Sequence, residues 1–166
     1  MNSVVQKSDR RKNIHYSVAM ASFWFLNGVL TIFLVPLLKE QGFSDGQTGI
    51  LLAVRAMASV GFQPFYSSLA DRLVERIPLK YLIAVLIGAG IGVTSVHAFC
   101  KLSFIGAVGV FIGYGMTINC ISAMLDSMSV QYAAAGSKIN YTLARAIGSF
   151  AWAVASIGLG DRKSVV

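Results

Sequence analysis

Charge is what this sequence has least of. Only 13% of its 166 residues are Asp, Glu, Lys or Arg, where a soluble domain carries about 25%. Mean hydropathy is +0.67, which excludes an ordinary water-soluble domain. Cysteine is equally scarce. Cys100 and Cys120 both fall within or beside apolar runs with no framework spacing, so neither a disulfide scaffold nor a metal pair is expected. There is no pair of carboxylates, no metal-ligand cluster and no nucleophile–base arrangement, so the chain is read as a non-enzyme with no cofactor and no metal. The net charge of +7 is not interleaved with aromatics on a groove-like surface, which argues against a nucleic-acid partner. The N-terminal basic region precedes an apolar run too long for a signal peptide, so that run is read as a retained membrane span.

What is present is apolar length. Five runs approach the roughly 20 residues needed to cross a bilayer: residues 15–38, 47–70, 79–100, 102–129 and 141–160. The expected fold class is all-α, a polytopic helix bundle with the lipid bilayer as its surroundings. Residues 1–14 form a tail, and the loops are "KEQGFSDG", "DRLVERIPLK", a short turn at Lys101 and "QYAAAGSKIN". Lys7, Arg10, Arg11, Lys12, Arg72, Arg76, Lys80 and Lys138 fall on one side, with only Lys39 and Lys101 on the other once Arg162 and Lys163 are set aside. By the positive-inside rule the N-terminus is cytoplasmic. Glycines cluster in "IGAGIGV" and "GAVGVFIGYG". The pairs Gly88/Gly92 and Gly109/Gly113 have the small-xxx-small spacing that predicts close helix packing.

The few charges inside these spans therefore call for explanation. In "ISAMLDSMSV", Asp126 would cost about 2.5–3.5 kcal/mol at the centre of a membrane helix. The fourth and fifth spans form a hairpin, and the midpoint between Asp126 and Arg145 falls near Ala135 in the linker. Equal distances from the turn predict equal depth, and thus an ion pair. Asn119, Ser122 and Asp126 share one helix face, as do Arg145, Ser149, Trp152 and Ser156 on the next helix. Carboxylate, guanidinium, amide, hydroxyls and an indole suit a sugar, whose paired hydroxyls donate to the carboxylate and accept from the guanidinium while its C–H face stacks. The same residues equally suit an ion pair that locks two helices, with Trp152 as packing. Arg55, in "GILLAVRAMASV", has no acidic partner at its depth and is a candidate substrate or gating residue. Gln63 and Pro64 line a cavity or bend the second helix, and His97 is expected in a packing role.

At these residues a resemblance emerges. "TGILLAVRAMASVGFQPFYSSLADRL" resembles helix two and the following loop of the major facilitator superfamily. "LDSMSVQYAAAGSKINYTLARAIGSFAWAVASIGLG" is similar to helices four and five of its oligosaccharide:proton symporter branch, which includes the lactose and sucrose permeases. The resemblance covers about residues 15–160. It implies secondary active sugar:proton symport across the plasma or inner membrane, with a sugar and protons as partners. It implies sugar binding by Asp126 and Arg145, a stacking platform at Trp152, and cavity positions at Asn119, Ser122 and Gln63. Asp71, with Arg72, falls on the loop motif that controls conformational switching.

The departures are specific. Ser67 and Val74 stand where that motif usually has glycine, and "ERIPLK" replaces a compact basic turn. Asp stands where the lactose permease has Glu, and the interval to Arg145 is one residue longer, so disaccharide selectivity does not transfer. The family builds twelve spans in two six-helix halves with the site between them. Five spans therefore read as part of the N-terminal half, with the C-terminal half missing. Residues 161–166, "DRKSVV", can be encoded by a common sequencing adapter and are expected to be read-through. The alternatives are a carrier of nucleosides or drugs on the same fold, or a complete five-span structural protein that transports nothing.

Overall fold

The computed structural model describes residues 2–73 and 78–160, all of whose regular structure is helical. Val74, Arg76 and residues 161–166, which entered the readings above, lie outside the described residues. Six helical segments follow one another: α1 (Asn2–Glu40), α2 (Asp45–Leu73), α3 (Leu79–Phe99), α4 (Phe104–Met116), α5 (Ile118–Ala134) and α6 (Tyr141–Gly160). By length and composition, four stretches can cross a membrane: Asp9–Glu40, Leu79–Phe99, Phe104–Ala134 and Tyr141–Leu159. α2 is long enough at 29 residues, but Arg55, Gln63 and the flanking charges dilute it. This is an all-α integral membrane protein.

Two differences from the sequence expectations have local causes. The tail before residue 15 is helical from Asn2, because no glycine or proline interrupts it. The fourth run is not one helix. Thr117 separates α4 from α5 with φ −104° and ψ −79°, and its backbone N–H and its hydroxyl both donate to the Gly113 carbonyl. Past the break, the Cys120 N–H bonds back only three residues, to Thr117, and its thiol takes up the Gly115 carbonyl.

The chain divides into two compact units, Met1–Pro36 with Ser129–Val166, and Leu37–Met128. In the first, α1 meets α6 where Gly28 lies beside Trp152 and Ala155 and where Gly148 lies beside Trp24, and Tyr16, Met20, Leu34, Ala144 and Ala155 are buried. α5 ends at Ala134, two residues before Gly136, whose φ of +75° favours glycine; the Ser137 N–H returns to the Tyr132 carbonyl. Asn13 then holds the entry to α6. Its amide donates to the Lys138 carbonyl at 2.8 Å and its oxygen accepts from the Asn140 N–H at 2.7 Å. Asn140 in turn caps α6 by accepting from the Leu143 N–H.

In the second unit, "KEQGFSDG" makes a tight reversal. Gly42 has φ +89°, and Ser44 and Gln47 exchange reciprocal side-chain to backbone hydrogen bonds, a capping box that starts α2. α2 lies mainly against α4. The contact is closest at Gly115, where an added Cβ would sit 2.5 Å from the Arg55 carbonyl and 2.6 Å from Ala58 Cβ. α3 meets α4 at Gly113 beside Val93, and meets α5 at Gly90 beside Ile118. The small-residue spacing thus misplaces most of the close contacts: a Cβ at Gly88, Gly92 or Gly109 meets no atom within 4 Å among the described residues.

Candidate functional site

In the second unit the intramembrane arginine does have a partner, a neutral one. Arg55, only 8% exposed, donates from Nε at 3.1 Å and from Nη2 at 2.8 Å to the single oxygen Asn119 Oδ1. Its guanidinium carbon lies 5.9 Å from the Tyr114 ring centroid. Tyr114 is buried, and its hydroxyl lies 3.1 Å from His97 Nδ1. His97, Phe111 and Tyr114 meet edge to face at 5.6 to 5.8 Å. His97 is therefore the packing residue expected of it, tied at Nδ1, while Nε2 is buried without a hydrogen-bond partner among the described residues.

Asn119 heads the polar stripe of α5. One turn on, the Ser122 hydroxyl donates to the Asn119 carbonyl within the helix. Asp126 follows on the same face and is half-buried. Gln63 is half-buried on α2, and Asp71 and Arg72 are exposed in its last turn. One assignment changes weight here: the Asn119 oxygen, expected to face substrate, is committed to Arg55.

In the first unit, α6 carries Arg145, Ser149 and Trp152. Arg145 is half-buried, with its guanidinium carbon 4.5 Å from the centroid of the Trp24 ring on α1. Trp24 reaches that position because residue 148 is glycine; an added Cβ there would lie 2.6 Å from Trp24 Cδ1. The exchange is reciprocal. Trp152, one turn beyond Gly148, has its Cδ1 only 3.0 Å from where a Cβ on Gly28 would be. Trp–x–x–x–Gly on α1 thus faces Gly–x–x–x–Trp on α6 in constant register, each indole seated in the other helix's notch. Trp152 stays 40% exposed and Ser149 is exposed. Asp126 belongs to the second unit and Arg145 to the first.

Trp24, Tyr114 and His97 were not marked as site residues from the sequence. The signal for Trp24 was present in the matched four-residue spacings of glycine and tryptophan. Those for Tyr114 and His97 were not, because their partnership depends on how α3 and α4 meet.

A family model described as LacY proton/sugar symporter matches residues 6–160 of the chain. No curated protein and no solved structure matches it.

Proposed function

We infer that this chain, which belongs to the LacY proton/sugar symporter family, contributes an N-terminal helix bundle to a sugar:proton symporter of the plasma or inner membrane. The carrier works by alternating access, rocking this bundle against a second one around a midplane site. Its N-terminus lies in the cytoplasm, where Asp71 and Arg72 take part in the conformational switch. Asp126 and Arg145 hold sugar hydroxyls by charge-assisted hydrogen bonds, and Trp152 offers its ring to the C–H face. Ser122, Ser149 and Gln63 line the cavity. Asn119 lines it as well, and Arg55 acts on the site through Asn119.

The observation that carries this reading is the extent of the match. Residues 6–160 include both Asp126 and Arg145 and every other proposed contact. The 40% exposure of Trp152 and the position of the Arg145 guanidinium over the Trp24 ring support it, since an accessible aromatic ring and a guanidinium fork suit a polyhydroxylated ligand.

Equilibrium binding of labelled sucrose and lactose to the purified protein tests the assignment. Arg145→Lys keeps the charge but loses the planar fork, and the expected result is a loss of affinity of at least roughly 10-fold. Unchanged affinity for a sugar that the parent binds would remove Arg145 from the site.

A further inference from the structure

We propose that Trp24, on the first helix, is the positioning residue for Arg145: its ring fixes the plane in which the guanidinium meets the sugar. The inference rests on the reading of Arg145 as a sugar ligand and adds a residue which that reading does not contain.

Three observations carry it. The guanidinium carbon lies 4.5 Å from the Trp24 centroid, inside the range in which an aromatic face attracts a cation. Trp24 is itself held in place. Gly148, one turn after Arg145, leaves a space into which the Trp24 Cδ1 edge fits, with 2.6 Å to a hypothetical Cβ, so ring and cation are registered by the same helix. The third observation concerns the indole nitrogen. Trp24 Nε1 is buried and has no hydrogen-bond partner among the described residues. Burial of an unpartnered N–H is unfavourable, so the side chain is placed there for its ring and not for its donor.

The physical consequence is specific. Arginine has a long side chain with many rotamers, and a bidentate contact with neighbouring hydroxyls needs one orientation of the fork. A ring beneath the guanidinium removes most alternatives before the ligand arrives, so less freedom is lost on binding. A residue with a face but no N–H should do the same work, and an aliphatic residue of similar bulk should not.

The test combines sugar binding with fluorescence. Labelled sucrose and lactose are titrated onto the purified carrier that contains this bundle and a second one, as parent, Trp24→Phe, Trp24→Leu, Arg145→Lys and the Trp24→Leu/Arg145→Lys double variant. The expected pattern is a loss of roughly 3- to 20-fold for Trp24→Leu and most of the affinity kept by Trp24→Phe. The double variant should bind no worse than Arg145→Lys alone. If Arg145→Lys loses affinity but Trp24→Leu does not, the inference fails and the sugar-ligand reading stands. If Arg145→Lys changes nothing, or the parent binds neither sugar, the sugar-ligand reading fails. The contact itself is then judged by emission. Emission is read on the 166-residue chain by itself, whose 2 tryptophans leave only Trp24 to emit in a Trp152→Phe background. Arg145→Leu should shift that emission, and an unchanged spectrum overturns the stacking.

Discussion

Arg55 and Asn119 are joined through one oxygen, with Nε 3.1 Å and Nη2 2.8 Å from Asn119 Oδ1. No carboxylate lies within ion-pair distance of Arg55 among the described residues. The guanidinium is thus held by a neutral amide and by the face of Tyr114. Asn119 sits just past the break at Thr117, so this contact ties α2 to the chain where α4 and α5 part.

Asn119→Ala removes the acceptor for two charge-assisted hydrogen bonds and leaves a buried cation. The expected cost is about 1.5–3 kcal/mol, read as a lower thermal midpoint in detergent. Asn119→Asp supplies a charged acceptor of nearly the same shape and should match or exceed the parent. An Asn119→Ala protein that melts with the parent would show that Arg55 has no need of this amide.

The Tyr114 hydroxyl is the hydrogen-bond partner of His97 Nδ1, and His97 Nε2 has none among the described residues. Tyr114→Phe therefore leaves the imidazole buried with neither nitrogen satisfied, at an expected cost of about 1–3 kcal/mol. Adding His97→Phe removes the orphaned polar group and keeps the aromatic cluster with Phe111. The double variant should recover much of the loss, since deleting both partners is gentler than deleting one. Additive losses in a double-mutant cycle would mean that the two groups are not coupled.

The glycines separate into two classes by what surrounds them. Gly115→Ala forces a methyl against backbone, 2.5 Å from the Arg55 carbonyl and 3.0 Å from the Ser59 nitrogen. Backbone cannot yield as a side-chain tip can, so a loss of about 1–3 kcal/mol is expected. Gly109→Ala meets no atom within 4 Å among the described residues and should be neutral, or stabilising by up to about 1 kcal/mol through helix propensity. Equal melting temperatures for the two variants would contradict the close approach of α2 and α4.

How much of this was legible beforehand depends on the kind of signal. Helix existence was, because apolar runs of this length leave no other way to satisfy backbone groups in lipid. The reversal at Gly42 and the start of α2 were also written locally, in a glycine followed by the Ser44–Gln47 box. The break at Thr117 was not, since apolar residues surround it and no proline marks it. Arg55 has no acid at its depth in the sequence, and its acceptor is an amide, Asn119, at a position that the family resemblance gives to the cavity. The small-residue motif marked the right helices but largely the wrong glycines. Spacing identifies residues on a common face and leaves open which face meets a neighbour.

The reciprocal seating of the two tryptophans makes a prediction about asymmetry. A Cβ on Gly28 would lie 3.0 Å from Trp152 Cδ1, 3.2 Å from Ala155 Cβ and 3.3 Å from the Trp152 carbonyl, tight contacts that ask each neighbour to give by a few tenths of an ångström. A Cβ on Gly148 would lie 2.6 Å from Trp24 Cδ1 and 3.3 Å from Cγ, with the Met20 carbonyl at 3.5 Å on the same side. Trp24 also carries Arg145 on its face, so it cannot retreat without losing that contact. Gly28→Ala should therefore cost less than Gly148→Ala, for which about 1–3 kcal/mol is expected. Because the clash is with the five-membered part of the indole, Trp24→Phe should relieve it. The Gly148→Ala/Trp24→Phe pair is expected to melt above Gly148→Ala alone. If both glycine variants lose stability equally, Trp24 is no more firmly fixed than Trp152, and the basis for its role beneath Arg145 is weakened.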